Sequence, residues 1–233
     1  TILVSTMYVN NETGTILPIT EIGEVVRNHS AVYHVDAVQA VGKLTIKPEE
    51  LGIDFLSASG HKFHGPKGVG FLYASTMDFD SYIHGGDQEY KKRAGTENLP
   101  AILGMVAAFK EELSKQTENY QTVQRLQDLF LTKISSLNYY INHGKEQLPY
   151  VLNLGFPGKK NDLLLLRMDL AGISISTGSA CTAGIVQTSH VLKAFYGNGS
   201  HRLHESVRIS LSPQNTDEEI IQLVNTLKEI IGD

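Results

Sequence analysis

The chain has 233 residues, 41% of them apolar, which is enough for a sizeable core in one large domain or two modest ones. Its net charge of -5 offers no basic surface for nucleic acid, and no apolar stretch is long enough to span a membrane, so neither partner is expected. A single cysteine, Cys181, excludes an internal disulfide, and the first residues lack the features of a secretory signal, which together favour a reducing cytoplasm.

The first half of the chain predicts strands that alternate with helices. A helix is expected after Thr20, which is placed to cap it, with Ile22, Val25 and Val26 on its apolar face. The apolar runs that have the composition of buried strands lie at residues 2–9, 31–35, 53–58 and 69–73. This order predicts a layered α/β domain with a mostly parallel sheet.

The second half begins with two helical patterns, at residues 99–118 and 120–137, which predict a pair of helices. Strands are expected at 150–154, 173–176 and 207–211, and a helix at 162–170.

The last helix has the clearest local signals. Thr216 and Glu219 form a capping box at its start, and Gly232 can end it. We therefore predict a large domain over residues 1–115 and a smaller C-terminal α/β domain over 116–233, which carries the Cys181 loop.

Two residues are candidates for a cofactor site. Lys62 follows the predicted strand 53–58, and Asp36 ends the predicted strand 31–35, so both fall where open α/β sheets bind ligands. A pyridoxal phosphate enzyme needs a lysine amine to bind the cofactor aldehyde and a carboxylate to keep the pyridine nitrogen protonated. Taken singly, Lys62 would be a surface lysine and Asp36 a turn residue. Their combination favours a pyridoxal phosphate site.

Three motifs carry a resemblance to a known family: Tyr33–Gln39 (YHVDAVQ), Ser59–Lys62 (SGHK) and Thr177–Thr182 (TGSACT). They resemble the cysteine desulfurases of the NifS/IscS type, and the likeness runs over essentially the whole chain. The resemblance implies the C-terminal part of a fold-type I large domain plus a smaller C-terminal domain. It also implies pyridoxal phosphate as cofactor and L-cysteine as substrate.

The resemblance assigns a role to each matching residue of the cofactor site. Lys62 would bind the cofactor covalently and move the substrate Cα proton, and Asp36 would pair with the pyridinium nitrogen. The other expected cofactor contacts are Asn11 and Gln39 near the phenolic oxygen, Ser59 and His61 at the phosphate, and Thr96, which would reach the phosphate of a neighbouring subunit in a homodimer.

The substrate would be held by Arg208, whose planar fork suits a carboxylate, and by Asn11. Cys181 would be the second catalytic residue, taking the sulfur as a persulfide. Its surroundings, Ser176 to Gly184, are rich in Gly, Ser and Thr, which predicts a mobile polar loop, although a lone cysteine is more often an inert buried side chain. Sulfur would pass to acceptor or scaffold proteins for iron-sulfur cluster assembly or tRNA thiolation.

Alternatives to this interpretation remain. Another fold-type I enzyme, an aminotransferase or a selenocysteine lyase, would explain Lys62 and Asp36 but not a nucleophilic Cys181. A non-catalytic binding fragment is a further possibility, because the N-terminal third of the family has no counterpart here, including its phosphate loop and ring-stacking histidine. An exposed apolar sheet edge or face is then expected. No metal site is expected, since the nine histidines lack ligand spacing.

Overall fold

The structure is a computed structural model that describes residues 1–178 and 188–232. The predicted loop residue Cys181 lies outside the described residues. The chain divides into two compact units, the first formed by residues 1–9 and 17–116 and the second by residues 10–16 and 117 onward. No described helix is both long enough and apolar enough to cross a bilayer.

The first unit is built on a sheet of four strands. These are β1 (Leu3–Met7), β3 (Val32–Asp36), β4 (Phe55–Ser59) and β5 (Gly70–Ala74), in that spatial order. The first three strands are parallel and β5 runs antiparallel to β4, so the sheet is mostly parallel, as predicted. The connections contain helices α1 (Ile19–Val26) and α2 (Pro48–Leu51).

One face of this sheet contributes to the buried core, because alternate side chains of a strand point to the same side. Tyr33 and Val35 of β3 and Leu56 of β4 are almost completely buried. The opposite face includes Asp36 and Ser57, which are register partners and are only half-buried. The expected apolar edge is also present, since Ile2, just before edge strand β1, is 88% exposed and Leu3, the first residue of β1, is 53% exposed.

The expected helix pair between residues 99 and 137 is wrong. The structure has one continuous helix, α3 (Leu99–Lys133), which begins in the first unit and continues into the second. Beyond Gly104 this stretch contains neither glycine nor proline, so nothing in the backbone chemistry interrupts the hydrogen-bond ladder. The pause in the apolar pattern near Asn119 marks a polar patch on a single helix.

The second unit has a three-stranded antiparallel sheet. Its strands are β6 (Tyr140–Ile141), β8 (Val151–Gly155) and β9 (Ser206–Ser210), with β8 in the middle and completely buried. A short ribbon pairs β2 (Thr15–Ile16) with β7 (Glu146–Gln147). The helices of this unit, besides the end of α3, are α4 (Asn161–Leu170), α5 (His190–Tyr196), α6 (Arg202–Glu205) and α7 (Asp217–Gly232).

The capping box of the last helix is confirmed. The Glu219 backbone N–H donates to the Thr216 hydroxyl at 3.2 Å, and the Thr216 N–H donates to the Glu219 carboxylate at 3.1 Å. These hydrogen bonds satisfy donors that a helix start leaves open. The strand expected at residues 173–176 does not form, because only Ser176 pairs with the sheet, as an isolated bridge to Arg208.

A tight turn at Asn10–Gly14 places the start of the chain's second strand in the second unit. The Asn10 side-chain oxygen accepts hydrogen bonds from the backbone N–H groups of Glu12 and Thr13 at 2.9 and 3.0 Å. Gly14 then adopts a φ of +70°, and a Cβ built there would lie 2.6 Å from the Val151 carbonyl oxygen. Both the left-handed backbone and the close approach require glycine at this position.

We expect Gly14→Ala to destabilise the protein by about 2 to 4 kcal/mol, because it combines left-handed strain with overpacking. Gly158→Ala is the matched control, since Gly158 has a φ of +77° but an added Cβ would meet no atom within 4 Å. That variant should lose only about 1 kcal/mol. Urea unfolding of both variants checks the difference, and equal losses would contradict the close approach at Gly14.

Candidate functional site

The carboxyl ends of the parallel strands in the first unit bring the expected cofactor residues to one edge of the sheet. Asp36 is the last residue of β3 and is in register with Met7 at the end of β1 and with Ser57 near the end of β4. Ser59 ends β4, and Lys62 follows it three residues later. This edge is where open α/β sheets bind their ligands, because the loops diverge there.

The Asp36 carboxylate is oriented by the backbone that follows it. One of its oxygens, Oδ1, accepts a hydrogen bond from the Val38 N–H at 3.0 Å, which closes a turn after the strand. The half-buried carboxylate is thereby fixed beside the sheet edge. Gln39 lies in the same turn and is also half-buried.

Lys62 is carried by a single turn of 3₁₀ helix, Gly60–Phe63. The turn is anchored by Phe63, whose side chain is almost completely buried, and by the Gly60 N–H, which donates to the Val69 carbonyl at 2.9 Å. Lys62 itself is half-buried. An amine so placed is held on a fixed backbone and is still reachable by a small molecule.

Ser59 and His61 form a second polar pair next to Lys62. The Ser59 Oγ and the His61 Nδ1 are 2.8 Å apart. Burial lowers the pKa of His61, and the positive charges of Lys62 and Lys67 lower it further. Two lysine charges beside a hydroxyl and an imidazole make this end of the site favourable for an anion such as a phosphate.

The residues present in the first unit therefore fit pyridoxal phosphate. An amine is available for the aldehyde, a carboxylate for the pyridine nitrogen, and a hydroxyl with nearby positive charge for the phosphate. Five residues were expected in one site, and all five lie on this edge or in the turns that leave it: Lys62, Asp36, Ser59, His61 and Gln39.

Lys43 is a neighbour of this site that the sequence analysis missed. Its Nζ donates to the backbone oxygen atoms of Gln39 and Lys62, at 3.3 Å in each case. Burial, followed by the charge of Lys62, lowers the pKa of Lys43 from 10.5 to about 8, against the opposing effect of the Glu112 carboxylate. The only signal in the sequence is that Lys43 lies among the apolar residues Ala40, Val41 and Leu44.

The second unit brings Asn11 and Arg208 together. The Nη1 of Arg208, on strand β9, donates to the Asn11 backbone oxygen at 3.0 Å, and its Nη2 lies 3.4 Å from the Ser176 hydroxyl. Arg208 is half-buried, and both Nη atoms of its guanidinium contact protein oxygen atoms. The planar fork of a guanidinium suits a carboxylate.

Glu12, beside Asn11, is a completely buried carboxylate that the sequence analysis also missed. It accepts a short hydrogen bond from the Ser189 hydroxyl, which in turn accepts from the Leu192 N–H at the start of α5. A buried carboxylate needs such partners, because an isolated charge in the interior is costly. The contact fixes the turn that contains Asn11.

The remaining expected site residues are Thr96 and Cys181. Thr96 is exposed, in a segment that follows an exposed tyrosine, Tyr90. Cys181 lies outside the part of the chain that the structure describes. Among the described residues, no group of three or more His, Cys, Asp or Glu side chains is arranged to hold a metal ion.

Comparison with known sequences identifies a matching protein family. The sequence model of the aminotransferase class-V family matches residues 1–223. A protein of Bacillus subtilis (strain 168) that carries the name IscS 1 is 46% identical over 99% of the chain, which corresponds to 62% of that protein. The cysteine desulfurase IscS of Methanosarcina thermophila is 40% identical over 99% of the chain and 58% of its own length.

Comparison with solved structures gives the same result. The X-ray structure of a NifS-like protein from Rickettsia africae ESF-5 matches with a TM-score of 0.88 and 33% identity. The match covers 99% of this chain and 62% of that one. The chain thus spans about three fifths of the length of the relatives that it matches.

Proposed function

The chain belongs to the aminotransferase class-V family, and we propose that its protein is a cysteine desulfurase that uses pyridoxal phosphate to move sulfur from L-cysteine to Cys181. The observation that carries the proposal is the placement of Lys62 and Asp36 at one edge of the parallel sheet, beside the Ser59–His61 pair. The name of the relative in Methanosarcina, cysteine desulfurase IscS, supports the choice of reaction within the family.

The cofactor residues have separate roles in this proposal. When bound, pyridoxal phosphate withdraws electrons from the substrate Cα through its protonated pyridine ring. Asp36 would keep the ring nitrogen protonated, because a nearby carboxylate stabilises a positive charge. Asn11 and Gln39 would contact the phenolic oxygen, and Ser59 with His61 would bind the phosphate.

Lys62 has two tasks. Its amine would hold the cofactor, and the same Nζ would take the substrate Cα proton and return it. Both tasks require an amine on a backbone that does not shift, which the anchored 3₁₀ turn supplies. Arg208 binds the substrate carboxylate and so orients the cysteine.

Cys181 completes the reaction as the nucleophile. Its thiolate attacks the sulfur of the substrate, the bond between that sulfur and Cβ breaks, and the electron pair of this bond returns to the carbon. Cβ and Cα then take up protons, so that one L-cysteine and one thiol give one L-alanine and one persulfide. The thiolate is the reactive form, so a reducing compartment such as the cytoplasm suits this residue.

The proposal extends to partners. The persulfide sulfur would pass to acceptor or scaffold proteins for iron-sulfur cluster assembly or tRNA thiolation, and the protein would act as a homodimer. Exposure of Thr96, and of Tyr90 six positions before it, supports the dimer, because both side chains are available to a second copy.

Analytical ultracentrifugation of Thr96→Tyr would show monomers if the exposed segment that contains Thr96 lies between subunits.

The test of the function is a product assay on the full-length protein with pyridoxal phosphate, L-cysteine and a thiol reductant. We expect L-alanine and sulfide in equal amounts, and we expect Cys181→Ser to lower both by at least about 10²-fold, because the nucleophile is lost. Consumption of a 2-oxo acid with formation of a new amino acid would instead identify an aminotransferase. Alanine formation that does not depend on Cys181 would contradict the proposed transfer of sulfur.

A further inference from the structure

Lys43 has an unusual position for a lysine. Its Nζ donates hydrogen bonds to two backbone oxygen atoms, one of Gln39 and one of Lys62, at 3.3 Å in each case. Gln39 belongs to the turn that begins at Asp36, where the Asp36 carboxylate accepts from Val38. One amine therefore bridges the two segments that supply the carboxylate and the lysine of the cofactor site.

Other charged groups complete this environment. Glu112, on α3, acts on the Lys43 charge and also lies 3.6 Å from the His64 imidazole, measured between Oε1 and Nε2. Gly42 brings the backbone close to α3, since a Cβ built on it would lie 3.1 Å from Phe63 and 3.4 Å from Glu112. The Lys43 amine is thus enclosed by the Lys62 turn, its own turn and α3.

We propose that Lys43 is a positioning residue of the cofactor site, whose amine holds the Lys62 turn against the turn that follows Asp36. The identification of the cofactor rests on the proposed function, whereas the bridge itself rests on the two hydrogen bonds. The two hydrogen bonds of Lys43 go to backbone oxygen atoms, so its proposed role is to position other residues. Lys43 acts by fixing the relative positions of Lys62 and Asp36. The relative positions of binding residues control how well a small molecule is bound.

A purely structural role and a positioning role predict different results for Lys43→Met. Methionine fills a similar volume but cannot donate to the two carbonyl oxygen atoms, so we expect the dissociation constant for pyridoxal phosphate to rise about tenfold. The unfolding temperature of the cofactor-free protein at pH 7 should stay the same or rise, because the variant no longer buries an amine whose charged form is disfavoured. Lys47→Met is the matched control, since Lys47 is exposed and forms an ion pair with Glu50 at 2.9 Å, and it should change neither quantity.

The outcomes separate the possibilities. Weaker cofactor binding without loss of stability supports the proposal, whereas unchanged binding overturns it, and a parallel loss of both shows that Lys43 only holds the fold together. The measurement uses cofactor titration rather than turnover. A protein that binds pyridoxal phosphate but makes no alanine would therefore overturn the proposed function and leave the result for Lys43 intact.

A pH series adds a second readout. Because the pKa of Lys43 is about 8 in the folded protein and 10.5 for an ordinary lysine, the unfolded chain binds more protons between these two values. The free energy of unfolding of the wild type should therefore rise with pH across this window, relative to Lys43→Met. A difference that stays flat from pH 8 to 10.5 would contradict the buried position of the amine.

Discussion

Replacement of Lys62 by alanine is expected to remove cysteine turnover, with a fall in kcat/KM of at least about 10³-fold. In the proposed function, the variant loses the amine that would hold the cofactor and move the Cα proton. A change in the backbone is not expected, because the 3₁₀ turn is held by buried Phe63 and by the Gly60 to Val69 hydrogen bond rather than by the Lys62 side chain. Alanine production from L-cysteine measures the effect.

The control for this variant is Lys47→Ala. Lys47 is exposed and forms an ion pair with Glu50 at 2.9 Å, so its removal should leave turnover unchanged. Visible absorption provides a second check, since a protein-bound band that depends on lysine should disappear in Lys62→Ala and persist in Lys47→Ala. Residual turnover near the wild-type rate in Lys62→Ala would exclude Lys62 as the catalytic lysine.

Replacement of Arg208 by methionine is expected to raise the KM for L-cysteine by about 10- to 100-fold, with a smaller effect on kcat. The reason is the loss of the charged fork that is proposed to bind the substrate carboxylate. Arg208→Lys should fall between the wild type and methionine, because an ammonium keeps the charge but not the planar pair of donors. Steady-state kinetics over a range of cysteine concentrations separates KM from kcat.

Arg208 also bonds to the Asn11 backbone, so its loss affects stability as well as binding. Unfolding temperatures of the variants therefore accompany the kinetics. Arg125→Met is the control, since the exposed Arg125 guanidinium forms a two-pronged pair with Asp217 at 2.7 and 2.9 Å on the surface of the same unit. An equal rise in KM for Arg125→Met and Arg208→Met would contradict a specific role of Arg208.

Sequence patterns predicted those structural features that depend on residues close together in the chain. The capping box at Thr216 and Glu219 predicted the start of α7, because both partners lie within one helical turn. The alternation of apolar runs and turn residues predicted the strands that end at Asp36 and near Ser59, and hence the edge where Lys62 lies. The identity of these residues then pointed to the cofactor.

Other features depend on contacts between distant parts of the chain. Residues 10–16 belong to the second unit because β2 pairs with β7, more than a hundred positions later, and no local pattern reports that pairing. The helix pair was expected because the apolar pattern pauses near Asn119, although a pause in the pattern does not break a backbone ladder. The segment 173–176 has the composition of a strand but finds only one bridge.

The residues of the candidate site also divide into those predicted from the sequence and those missed. Lys62 and Asp36 were predicted because each follows a strand, and strand ends can be read from composition. Lys43 was missed because its partners are the main-chain oxygen atoms of Gln39 and Lys62, which have no signature in the sequence. Glu12 was missed for the same reason, since its partner Ser189 is 177 positions away.

The most direct test of sulfur transfer is the intact mass of the full-length protein after reaction with one equivalent of L-cysteine, without reductant, followed by peptide mapping. The proposed function predicts that the protein gains the mass of one sulfur atom, that the added sulfur lies on the peptide containing Cys181, and that one L-alanine forms for each sulfur gained. Alanine without added sulfur on that peptide, or no alanine from a protein that has bound pyridoxal phosphate, would contradict it.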